Sequence, residues 1–339
     1  MFILRGNCHQ NHRFFSCLGS YNCLLKLVFL LLLLPCNIFS SEFKKHLEKD
    51  KESLKYLETY EDNKRLGLFS AMFDMAGKRE KASGEIPKVM HFIWLGSSPF
   101  PSASIKNLKG WIDNHPGWRV KFWTDHGLAA PDDRMEVRSL DLFPLEELAD
   151  LYEQTDHLVE RSQILRYAIL LSEGGAFIGH DTVCLKALDS LQNSHDFFCG
   201  MEKLGPRVLS STVNPSPHLL AATPQHPILK SAKRWLINEW EQVEDRFPGK
   251  DPETIAQRMK HRTFNALSMG VKESYARAGR KDVVFPPDYF SFSNKKGAIY
   301  AVHKHREKTE TPWATFLFVG GGMGAIALFF RRRLKKVKT

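Results

Sequence analysis

Residues 88–96 read KVMHFIWLG, an almost unbroken apolar run closed by Gly96. A strand with one face in water alternates polar and apolar residues, whereas a strand covered on both faces does not. Two-sided cover is the property of a parallel sheet flanked by helices. The next segment makes the same demand. Ile105, Leu108, Trp111 and Ile112 fall at helical spacing, NHPG breaks the pattern, and RVKFW supplies a second strand that ends at Thr124 and Asp125. This βαβ rhythm predicts an α/β sheet whose ligand lies outside the carboxyl ends of the strands. Residues 94–96 and 123–125 are therefore the first places to look for a site.

A third unit follows in ERSQILRYAILLSEGGAFIGHDTVCLKAL. Ile164, Leu165, Ala168, Ile169 and Leu171 give a helix its apolar face, Gly174 is placed to cap its C-terminus, and Gln163 and Arg166, three apart, share one face. After the cap, AFI is too short and too apolar for an edge strand, so His180 and Asp181 leave the sheet at a strand end. A carboxylate there is costly to bury alone. It is suited to face a bound cation, and the cation a phosphate.

The ends differ from this body. Residues 1–41 hold an apolar stretch after Lys26 with the length of a signal-peptide core, and are expected to be a signal peptide or signal anchor. Residues 42–85 are densely charged, with a thin apolar series at Leu47, Leu54 and Leu57, and are expected to form a solvated helical stalk. The uncharged stretch 313–330 precedes the basic tail RRRLKKVKT. It is expected to be a transmembrane helix with residues 331–339 in the cytoplasm and the body on the opposite side, in a Golgi or endoplasmic-reticulum lumen if the cell is eukaryotic. Gly320 and Gly324, at GxxxG spacing, could pack two such helices together or be glycines merely tolerated there. The formal charge of +10 sits mostly in that tail and in Arg5, Arg13 and Lys26, which leaves the body near neutral and argues against a nucleic-acid partner. Of the six cysteines, only Cys184 and Cys199 belong to the body, and no zinc-type spacing occurs.

IPKVMHFIWLG, KFWTD, the helix with ILRYAIL, GGAFIGHD and TVCLKAL stand in the order and spacing of the glycosyltransferases carrying the DXD sugar-binding region, which the chain resembles over roughly residues 86–306. That family includes the yeast initiating mannosyltransferase and, more distantly, the large clostridial glucosylating toxins. The resemblance implies a GT-A fold, a Rossmann-like nucleotide-sugar-binding architecture. It also implies a nucleotide-diphosphate sugar donor, a divalent cation (Mn2+ or Mg2+), and transfer of a hexose with retention of configuration to an acceptor the sequence does not identify. Residue by residue, Trp94 matches the aromatic that stacks on the nucleobase, Arg166 the helix arginine that reaches the donor, Asp181 the second aspartate of DXD that binds metal, and His303 the histidine of the closing segment, with His305 in reserve.

The chain also departs from the family's pattern. Gly179 stands where the first aspartate of DXD would be, so the motif reads GHD. Gln163 replaces a helix aspartate, and Pro312-Trp313 replaces a Ser-Trp pair. His180 could complete the metal site or simply face solvent. Asp125 could contact nucleotide or merely shape its turn, and His91 reads as a hydrogen-bonded core histidine. Three outcomes follow: an active glycosyltransferase with Asp181 and Arg166 as its catalytic residues, a catalytically silent relative that binds sugar nucleotide or glycan without transfer, or a membrane-bound interaction protein.

Overall fold

The apolar runs become strands and the periodic segments become the helices between them. The computed structural model describes residues 42–78, 85–140, 143–155, 157–207, 209–278, 281–291 and 295–303. Nine strands occur among them: β1 Val89–Ile93, β2 Arg119–Thr124, β3 Met135–Ser139, β4 Gly175–Ile178, β5 Thr182–Cys184, β6 Phe197–Met201, β7 Pro215–Ala222, β8 Asp282–Phe285 and β9 Ala301–His303. The helices are α1 Glu42–Leu47, α2 Tyr60–Lys78, α3 Ser102–Asn114, α4 Ala149–Gln154, α5 Leu158–Glu173, α6 Asp189–Gln192, α7 Pro227–Arg246, α8 Pro252–Ala278 and α9 Pro287–Phe290.

Seven strands form one sheet in the order β3-β2-β1-β4-β7-β6-β8, and β5 and β9 form a separate ribbon. β1, β2, β3 and β4 run parallel, β7 runs antiparallel to β4 and β6, and β8 runs parallel to β6. The expected α/β class with a mostly parallel sheet is therefore present. β1 is buried at all five positions, as its unbroken apolar run requires. β4 lies between β1 and β7, so the short AFI segment is an interior strand. The preceding helix α5 ends where Gly174 adopts φ 66° and returns its N–H to the Leu170 carbonyl, a backbone conformation that favours glycine.

The stalk expectation is corrected. Phe43 and Leu47 of α1 and Phe69 and Met72 of α2 are core residues, packed in one cluster with β6, β7 and α7 side chains. Residues 69, 72, 73 and 76 are apolar at helical spacing, and their stripe binds the helix to the body in spite of its charged outer face. The expected signal segment, transmembrane helix, tail and Gly320/Gly324 pair, together with His305 and Trp313, lie outside the described residues. Among the described residues, no helix is long and apolar enough to cross a membrane.

Candidate functional site

Strand directions decide which side chains meet. β1 and β4 deliver residues 94–96 and 179–181 from their carboxyl ends. β7 is antiparallel, with Ile178 opposite Leu219, so it delivers its first residues to that same end. The Gly179 N–H donates to the His218 carbonyl at 2.8 Å and fixes His218 beside the GHD motif. The β5–β9 ribbon pairs Thr182 with His303, which sets that histidine next to Asp181.

Asp181, His218 and His303 converge as a result, and one potential ligand atom from each lies within 4.8 Å of the others. His303 Nε2 is 2.7 Å from Asp181 Oδ2, and the two imidazoles stack with centroids 3.7 Å apart at 29°. Burial works to raise the Asp181 pKa, but the nearby imidazoles of His303, His180 and His218 outweigh it and hold the carboxyl well below the usual range. Burial, together with the charges of His303 and Arg166, drives His218 the other way, well below an ordinary histidine, against an opposing pull from Asp181. The site thus favours an ionised carboxylate beside a neutral His218, the forms in which these two side chains can ligate a metal. One carboxylate and two imidazoles at this spacing fit a divalent ion after small side-chain rotations.

Arg166 of α5 is 4% exposed and donates through Nη1 to the carbonyl of Pro217, the residue before His218. Its Nε and Nη2 are buried without a hydrogen-bond partner among the described residues. The guanidinium lies over the rings of Phe177 and Tyr167, at 5.1 and 5.4 Å. Buried donors left unmatched are rare and costly, so this cation suits an anion that binds here.

The other expected residues fare differently. Trp94 is 5% exposed, donates through Nε1 to the Ser98 carbonyl, and meets Phe100 and His180 edge to face. It packs beside the site but presents no open face for a nucleobase. His180 is held through Nδ1 by Ser104 Oγ at 2.8 Å, at the start of α3. It is not one of the three converging side chains, so its expected part in the metal set is not realised. Asp125 accepts the Gly96 N–H at 2.8 Å and pairs with His126 at 2.9 Å, tying the ends of β1 and β2 together. Gln163 accepts a hydrogen bond from Thr263 of α8, so it engages a helix and not the cluster. His91 is the core histidine expected, hydrogen-bonded to Gly174 and Trp123. His218 was not singled out by its sequence. PSPHLL carries no signal of strand direction, and only the antiparallel course of β7 brings this histidine to Asp181.

Residues 101–198 match the family model described as a glycosyltransferase sugar-binding region containing DXD motif. A mannosyl phosphorylinositol ceramide synthase of Saccharomyces cerevisiae is 27% identical over 160 residues, which cover 45% of this chain and 37% of that protein. An inositol phosphoceramide mannosyltransferase of Schizosaccharomyces pombe is 29% identical over 112 residues, covering 32% and 28%. The chain therefore spans about a third of the length of these curated relatives. Among solved structures, the PaToxG glycosyltransferase aligns over 67% of this chain and 95% of its own, with 17% identity and a TM-score of 0.42. Residues 101–198, which hold both α5 and the GHD motif, are thus similar to the glycosyltransferase sugar-binding region that contains the DXD motif.

Proposed function

We propose that the protein is a GT-A-type glycosyltransferase that moves a hexose from a nucleotide-diphosphate sugar to an acceptor, with retention of configuration and with the help of a divalent cation. The observation that carries this reading is the meeting of Asp181 and His303 at the carboxyl end of β4, beside the half-satisfied guanidinium of Arg166. The similarity of residues 101–198 to the DXD-containing sugar-binding region supports it. Asp181 and His303 would hold the ion, whose chemistry when bound is Lewis-acid stabilisation of a departing diphosphate. Arg166 supplies fixed positive charge in a site largely closed to water, where such charge acts most strongly. Transfer of this type asks little of a strong base, and none of the residues around Asp181 has to serve as one.

The test uses the full chain with manganese and a panel of UDP- and GDP-sugars, following slow hydrolysis of the donor. One donor is expected to turn over. Asp181→Asn, which keeps the shape and removes the charge, should lower that rate by about 100-fold or more while the thermal transition persists. Donor binding without turnover in the wild type would identify the silent relative instead.

A further inference from the structure

Gly179 leaves the place of the first DXD aspartate without a side chain, and the geometry gives that glycine a positive reason. A Cβ at this position would lie 2.9 Å from Asp181 Oδ1 and 3.3 Å from the His218 carbonyl oxygen. A side chain at 179 would therefore require Asp181 Oδ1 to shift from its present place beside His303. Directly across the strand pair, bonded to the Gly179 N–H, stands His218, whose ring stacks on His303 and whose ligand atom lies within 4.8 Å of the other two. A second observation points to a ligand at the same spot. Arg166, buried and bonded to the carbonyl of the residue before His218, keeps Nε and Nη2 without a hydrogen-bond partner among the described residues.

We infer that His218 is the third protein ligand of the cation site, standing in for the carboxylate absent at position 179, and that the resulting set selects borderline transition-metal ions over magnesium and calcium. The role of the ion in catalysis rests on the glycosyltransferase reading, but its binding does not. Magnesium and calcium prefer oxygen donors. Imidazole suits first-row transition ions, whose affinity for such sites rises from manganese to cobalt and beyond. Exchanging one of three ligands from carboxylate to imidazole removes one negative charge and shifts the site along that series. Positions that the three side chains do not fill would be left to diphosphate oxygens, with Arg166 held against the residue before His218.

The experiment is a titration of the metal-free full chain with Co2+, followed by its visible d–d absorption, with Mn2+ and Mg2+ as competitors. The wild type should bind Co2+ at least ~10-fold more tightly than Mn2+, and a ~100-fold excess of Mg2+ should not displace it. His218→Ala should weaken Co2+ by at least ~10-fold. His218→Asp, which returns an oxygen donor, should narrow the cobalt-to-manganese ratio, a change that a purely structural histidine would not produce. Gly179→Asp should weaken binding although it restores the family motif. Thermal melts of each variant separate loss of the ligand from loss of the fold. Unchanged Co2+ affinity in both His218 variants, or a wild type that prefers Mg2+, overturns the inference. Donor turnover by a His218→Ala protein that binds Co2+ as the wild type does would sink this inference and leave the transferase reading standing. His218-dependent Co2+ binding without any donor turnover would do the reverse.

Discussion

The guanidinium of Arg166 donates to the Pro217 carbonyl, and among the described residues its Nε and Nη2 have no hydrogen-bond partner in the interior. Burial depresses its pKa, so the fold bears a cost for keeping this side chain charged. Methionine has similar length and no polar atoms, and Arg166→Met should leave the melting temperature unchanged or raise it. Donor affinity should fall by roughly 10- to 100-fold, the equivalent of about 1.5–3 kcal/mol for a charge-assisted hydrogen bond. Calorimetric titration with the sugar nucleotide, set beside a thermal melt, checks both halves. A variant that loses stability and affinity together would mark Arg166 as structural. At this scale the sequence was informative where local context was enough. Asp181 at a strand end and Arg166 on the helix face could both be read from short segments. Trp94 could not, because whether an indole face is open depends on Phe100 and His180, which meet it edge to face.

β7 shows why the remaining part of the site was hidden. PSPHLLAA carries prolines at 215 and 217, and proline within a run argues against an interior strand. The register resolves the conflict. β4 pairs only with residues 219–222, so both prolines lie beyond its last residue, where no ladder bond to β4 is lost. His218 sits at that same overhang, and its place in the site follows from pairing across distant segments. β1 is anchored in a different way. His91 donates through Nε2 to the Gly174 carbonyl at 2.8 Å and accepts through Nδ1 from Trp123 Nε1 at 3.1 Å, so a neutral ring joins β1 to β2 and to the turn before β4. Burial pushes its pKa down to about 4. Above pH ~6.5 the ring is neutral in folded and unfolded chains alike, and its contribution is complete. Between about 6.5 and 4 the unfolded chain takes up a proton that the folded chain refuses, so stability falls as pH falls. From pH 7 to pH 5 the loss from His91 should be about 2 kcal/mol. Burial also lowers His195 to about 4, which adds a second increment of the same sign. Urea unfolding across this range should show the decline, and His91→Gln should make it less steep.

At the scale of the whole molecule, the segment expected to stand apart as a stalk is part of the body. Its charge density suggested solvent, yet the charges that matter point inward. Asp62 is fully buried and accepts from Ser211 Oγ at 2.8 Å and from the Thr212 N–H at 2.9 Å, with Thr59 closing the same carboxylate. Burial opposes its ionisation, but these hydrogen bonds win and hold its pKa well below the usual range. Arg65 reaches Asn214 at 3.0 Å, so α2 grips the chain immediately before β7. From α1 and the turn after it, His46 and Lys49 both meet the buried Asp288 of α9 at 2.7 Å. The N-terminal helices thus brace the strand that carries His218 from one side and the segment leading toward His303 from the other. A chain beginning after residue 78 would expose the core faces that Phe43, Phe69 and Met72 cover and would leave Asp288 without His46 and Lys49. It should fail to give a cooperative thermal transition, whereas a detachable stalk would leave the transition intact. Asp62→Ala is the milder form of the test. It strands the Ser211 hydroxyl and the Thr212 N–H and should cost about 2–4 kcal/mol in denaturant unfolding. If the brace positions β7, the same variant should also weaken Co2+ binding although Asp62 touches no metal ligand, and unchanged binding would separate the stability of these helices from the geometry of the site.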